Sequence, residues 1–179
     1  MENELVKGLQ VELNRRLEGL VVDGDYGNKT NDATFRNLVL YQPIPPEGSE
    51  NFDVKEFKCN CHGRYCDGYP EQGISSDLYV LLEEIREEVN RLYPKSDGTD
   101  RPLLVRAGYR CPEYNTEVKG ADDSQHLYGK AGDIYSPGIL PATMGKICDK
   151  LNPNGGVGLG GNSIVHVDVR GHYARWRYD

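Results

Sequence analysis

Basic charge, histidine and long apolar runs are all scarce in this chain, and each scarcity excludes something. Only 21 Lys and Arg stand against 28 Asp and Glu, a net charge of −7. That balance argues against nucleic acid as the main partner, and against simple electrostatic adhesion to an anionic cell envelope. No apolar stretch approaches the roughly 20 residues that a bilayer-spanning helix needs, so no membrane insertion is expected. The first residues, Met1 to Leu5, lack a basic region followed by an apolar run. No secretory signal is therefore visible, and synthesis and accumulation in a cytoplasm are expected. The five cysteines are an odd count, which excludes a fully paired disulfide framework within a monomer, the state expected here. The 179 residues, 37% hydrophobic and 27% charged, suffice for one good core, or for one modest core and a small appendage in a soluble globular protein. Any histidine chemistry must draw on four residues: His62, His126, His166 and His172.

Two of those four lie in chemically suggestive company. The stretch Ser124 to Asp133 contains His126, Gly129, Ala131 and Asp133, and His166 and Asp168 lie downstream in an alternating apolar run, Ile164 to Val169. Two imidazoles and a carboxylate are a ligand set that a catalytic zinc takes from a protein, with the fourth tetrahedral position left to water. Gly129 and Gly132 suggest a turn into a strand that carries Asp133. The period of two over Ile164 to Val169 places His166 and Asp168 on one face of a second strand. Zinc held by His126, Asp133 and His166 would acidify its water and polarise a peptide carbonyl.

The residue pattern resembles the zinc D,D-peptidases of the M15 type, whose motif S-x-H-x-x-G-x-A-x-D is followed by a histidine in a strand. Ser124, His126, Gly129, Ala131 and Asp133 match its fixed positions. A second block, Leu103 to Asn115, resembles the family's S-G-Y-R-S-P-E-Y-N segment, with Ala107 and Cys111 in place of its serines. The resemblance implies that Arg110 points at the site and holds a substrate carbonyl or carboxylate; a structural salt bridge is the alternative. It also implies a substrate-side role for Ser124, whereas Tyr109 and Asn115 read as packing and turn residues. Many relatives carry an acid three residues before the last zinc histidine, where this chain has Ser163. Asp168 is the obvious remaining carboxylate, either as the catalytic base or as the group that orients His166. His172, after Gly171, is a lesser candidate for transition-state stabilisation.

The N-terminal part reads as a separate unit. Val6, Leu9, Leu13 and Leu17 recur at helical spacing, a second amphipathic helix begins at Asp32, and the turn Val21 to Thr30 lies between. This unit resembles the small helical peptidoglycan-binding repeat, carried by Leu9-Gln10, Leu13-Asn14, Val22-Asp23-Gly24, Gly27, Thr30, Phe35 and Gln42. That resemblance implies binding of glycan-linked stem peptide near Asp23, Gly24 and Gly27; a helical hairpin that merely packs on its neighbour is the alternative. The expected organisation is a helical module over 1–42, a proline-rich linker over 43–51 and a zinc peptidase domain over 52–179.

Within that last domain Ser76-Asp77 is expected to cap a helix with the stripe Leu78, Leu81, Leu82, Ile85, Val89 and Leu92. A strand at Leu103 to Val105, the Arg110 loop, the zinc motif, a helix near Ala142 to Leu151 and the His166 strand follow. Glycines 155, 156, 158, 160 and 161 read as a loop that leaves room for substrate, and Trp176 as packing. The order predicts an α+β domain with a small, mainly antiparallel sheet and flanking helices, like the hedgehog and D,D-peptidase zinc domains, preceded by an all-α module. Cys59, Cys61 and Cys66 form a dense patch. They read either as a structural zinc cluster with Cys111 as a conceivable fourth ligand, or as free thiols or one disulfide; close C-x-C spacing is poor for zinc-finger geometry. Cys148 reads as a buried helix residue. Together the two resemblances imply a zinc-dependent peptidase of cell-wall peptidoglycan, an endolysin acting as endopeptidase or D-alanyl-D-alanine carboxypeptidase. The alternative is a non-catalytic, zinc-containing wall-binding protein on the same fold.

Overall fold

Alternation and helical periodicity sort the second part of the chain into two layers. The computed structural model describes residues 48–160 and 164–178. The helical module over 1–42, and with it Asp23, Gly24 and Gly27, lies outside them, as does Ser163. The described chain runs through a 3-10 turn at Val54–Phe57, helix α1 (Ser76–Leu92), strand β1 (Leu104–Ala107), the short helix α2 (Pro112–Glu117) and a second 3-10 turn at Gln125–Tyr128. Strand β2 (Ala131–Tyr135), helix α3 (Pro141–Leu151) and strands β3 (Gly156–Leu159), β4 (Val165–Asp168) and β5 (Ala174–Arg177) complete it.

Helix α1 forms where its apolar residues recur every three or four positions, and Leu78, Leu81, Leu82, Ile85 and Val89 are all buried. Each such side chain contributes about 1.5–3 kcal/mol relative to exposure. Leu92, expected on the same stripe, is instead exposed, because it closes the helix beyond the core. The cap also differs by one residue. Ser75 holds the extended N-cap conformation, its side chain makes no capping bond, and its N–H donates to the Gly129 carbonyl at 3.0 Å. At the start of the described chain, Ser49 Oγ and Asn51 Nδ2 donate to the Glu83 carboxylate of α1.

The sheet runs β1-β2-β4-β3-β5. β1–β2, β2–β4 and β4–β3 pair antiparallel, whereas β3–β5 pair parallel. The sheet is therefore mixed rather than mainly antiparallel as expected. The chain leaving β4 turns at Gly171 and runs back beside β3, in the same direction as that strand. Val157, Val165, Val167 and Ile134 pack with α1 and α3 residues, including Met144 and Ile147, in one core. Cys148 of α3 is fully buried there, as the sequence suggested. The strand period then turns Asp133, His166 and Asp168 to the opposite face.

Two of the glycines read from composition as a loop lie in a strand instead. Gly156 and Gly158 lie within β3, and a Cβ at either position would run into Asp168 or into the Trp176 ring, respectively. The missing side chains thus make room for protein groups of β4 and β5 rather than for substrate. Gly156→Ala should lower unfolding free energy by about 1–3 kcal/mol through overpacking. Urea denaturation checks this, and an unchanged midpoint would contradict the packing described.

Candidate active site

Two strands and a turn bring the expected ligand set together. Asp133 on β2 sits directly opposite His166 on β4 in the antiparallel register. His126 comes from the 3-10 turn Gln125–Tyr128, which Gly129 ends in the left-handed conformation (φ 64°) before the chain enters β2. His126 Nε2 lies 3.1 Å from His166 Nδ1 and 3.3 Å from Asp133 Oδ1, and His166 Nδ1 lies 3.0 Å from the same oxygen. Tetrahedral ligands about 2.0–2.1 Å from a zinc ion stand about 3.3–3.4 Å apart. The observed triangle fits that spacing with little adjustment.

Hydrogen bonding on the far side of each ring decides what the near side offers. His126 Nδ1 lies 2.5 Å from the Gly108 carbonyl oxygen. A carbonyl only accepts, so Nδ1 carries the proton and neutral His126 turns the bare lone pair of Nε2 to the triangle. His166 Nε2 donates to Asp168 Oδ2 at 2.9 Å, which leaves Nδ1 as its bare nitrogen when neutral. Three lone pairs therefore converge on one point, an arrangement that a cation or a shared proton relieves. Burial lowers the His126 pKa. Burial also opposes charge on His166, but Asp133 and Asp168 outweigh it and raise that pKa. Burial likewise opposes a charged Asp133, yet the two imidazoles beside it hold its carboxyl far below the usual carboxylate range. The donor set, the tautomers and the spacing fit zinc.

The flanking groups bear on two open points. Arg110 Nη2 donates to Asp133 Oδ2 at 2.7 Å. The arginine thus holds one carboxylate oxygen in an ion pair, while Oδ1 stands beside the two histidines. Asp168 is fully buried. Its Oδ1 accepts from the Gly156 N–H, the Arg170 N–H and Arg170 Nε, while Oδ2 accepts from His166 and from Arg170 Nη2. Burial would raise its pKa, but Arg170 and His166 outweigh this and hold it well below the usual range. This fully bonded carboxylate stands behind the His166 ring, shielded from solvent.

Ser124 stands at the N-cap position of the turn that carries His126, and its side chain makes no capping bond. His172 is exposed in the bend between β4 and β5. Tyr109 and Asn115 are buried, and Asn115 Nδ2 donates to the Ala121 carbonyl at 2.9 Å.

Sequence reasoning missed three contributors. The Gly108 carbonyl belongs to the backbone, which no residue type reveals. Arg170 follows Asp168 by two positions, and that alternation was a readable signal. Trp176, expected only to pack, has its ring 5.1 Å from that of His166, with the Arg170 guanidinium 5.0 Å from the indole. The triangle is closed below by His126 and His166, 2% and 5% exposed in their side chains, and reaches solvent beside Asp133 and Arg110, at 17% and 19%.

The family model described as Peptidase M15 matches residues 50–168. No curated protein matches the chain. Asp168→Asn, which retains shape but loses the charge that fixes the His166 tautomer, should weaken zinc binding about 10–100-fold. Competition against a chromogenic chelator measures this, and undiminished affinity would remove the orienting role.

Proposed function

The chain belongs to the peptidase M15 family, a family of metallopeptidases that are typically zinc-dependent, and from that premise we propose that it hydrolyses peptide bonds in the stem peptides of bacterial peptidoglycan, as an endolysin. The observation that carries the reading is the convergence of three lone pairs, from His126 Nε2, His166 Nδ1 and Asp133 Oδ1, at a point open on one side. Structural zinc sites are closed by four protein ligands, while catalytic ones keep a position free.

In this reading His126, Asp133 and His166 hold zinc, whose contribution when bound is Lewis acidity toward water and a peptide carbonyl. Gly108 and Asp168 keep both rings in the ligating tautomer. Arg110 fixes Asp133 and turns the remaining N–H groups of its fork toward a substrate carbonyl or terminal carboxylate. Ser124 lies beside the approach to His126 as a substrate contact. The module over 1–42 contributes wall affinity around Asp23, Gly24 and Gly27. The sealed position of Asp168, with Ser163 where relatives carry an acid, favours a second reading: a zinc-containing wall-binding protein that does not cleave.

Incubating the zinc-loaded chain with purified cell walls and identifying released termini by mass spectrometry separates these readings. The peptidase reading expects new termini, lost to background with His126→Ala or His166→Ala. Internal cuts identify an endopeptidase, and release of terminal D-alanine alone identifies a carboxypeptidase. Wall binding without any new terminus would reject catalysis in favour of the second reading.

A further inference from the structure

The four cysteines left open by the sequence meet in one place. Cys59, Cys61 and Cys111 are buried, at 3%, 0% and 2% exposure, and Cys66 is partly so. Cys59 Sγ lies 3.8 Å from Cys111 Sγ, and Cys61 Sγ lies 3.5 Å from Cys66 Sγ. All four sulfurs lie within 4.8 Å of one another. From this arrangement we propose that the chain carries a second metal centre, a closed structural zinc site made by Cys59, Cys61, Cys66 and Cys111.

The distances discriminate between the alternatives. Bonded sulfurs stand about 2.05 Å apart, so neither pair is a disulfide. Two separate disulfides would require proximity within each pair only, and nothing would draw one pair onto the other. A tetrahedral ion with arms of about 2.3 Å places every sulfur about 3.8 Å from the other three. Convergence of all four is therefore the feature that a metal demands and that neither free thiols nor paired disulfides need.

The local chain is shaped for this. The C-x-C spacing, poor for a zinc finger, is not the pair that forms a loop. Cys61 and Cys66 enclose a turn in which His62 and Gly63 both take positive φ, 55° and 78°, and the Arg64 N–H closes it onto the Cys61 carbonyl at 3.1 Å. Cys59 pairs across sequence with Cys111, whose N–H donates to Cys59 Sγ at 3.4 Å. Arg64 and Tyr65 then bind Glu117 at the end of α2, tying the loop to that helix.

The centre supports the first site through the chain. Gly108, three residues before Cys111, accepts from His126, and the Arg110 N–H donates to the His126 carbonyl at 3.1 Å. The thiolate cluster thereby anchors the segment that sets His126 and Arg110, and it has no open position for substrate.

Elemental analysis of the full chain purified with zinc under reducing conditions should find about two equivalents per chain. The His126→Ala/His166→Ala variant should retain about one, and loading it with cobalt should produce the intense near-ultraviolet charge-transfer absorption of thiolate ligation. That signal should vanish on adding Cys61→Ala/Cys66→Ala. The cobalt spectrum needs no cysteine variant to fold, and it is independent of wall cleavage, so failure of one proposal is distinguishable from failure of the other. A wild-type chain with a single zinc that the histidine variant loses, a cobalt spectrum without thiolate absorption, or mass-mapped disulfides within the cluster under these conditions would each overturn the second centre.

Discussion

Two protons on the far sides of two rings govern the site. His126 donates one to the Gly108 carbonyl and His166 donates the other to Asp168, and only because both are so placed do the near nitrogens face Asp133 with bare lone pairs. The rest of the architecture can be traced to this requirement. β3 carries glycine so that Asp168 fits behind β4, Arg170 neutralises the carboxylate buried there, and the 108–110 segment grips the turn of His126 at two points. A buried carboxylate without such partners would cost several kcal/mol. The bidentate guanidinium and two backbone N–H donors offset that cost without contributing anything to the metal directly.

Much of this was legible in the sequence because it depends on spacing. Alternation along Ile164 to Val169 put His166 and Asp168 on one face, the glycines after His126 announced a turn into β2, and the three- and four-residue recurrence from Leu78 to Val89 marked the core face of α1. What escaped depends on contacts between segments distant in sequence. The partner of Arg110 is 23 residues away and that of Cys59 is 52 residues away. Neither spacing has a local signature. Glycines 156 and 158 were misread for the same reason: composition shows that room is made, but not for what. The parallel pairing of β5 was invisible because a four-residue strand carries no mark of its direction.

The two sulfur- and nitrogen-rich clusters divide labour by ligand number and by softness. Four cysteine sulfurs converge in one, whereas two imidazoles and one carboxylate oxygen meet in the other beside Arg110. The 108–111 segment separates them by only a few residues. A metal bound by the sulfurs would stiffen the segment that sets His126 and Arg110, and positional precision of this kind is what a hydrolytic centre most needs.

The strand order distributes motion as well as shape. Among the described strands β4 has a partner on each side, while β5 lies at the sheet edge, paired with β3. Amide exchange in such a sheet is slowest on the doubly paired strand and fastest at its margin. His166 and Asp168 thus lie on a strand hydrogen-bonded on both edges, whereas Trp176 rides on an edge strand that Arg175 ties to Asp149 of α3 and to the Asn152 carbonyl.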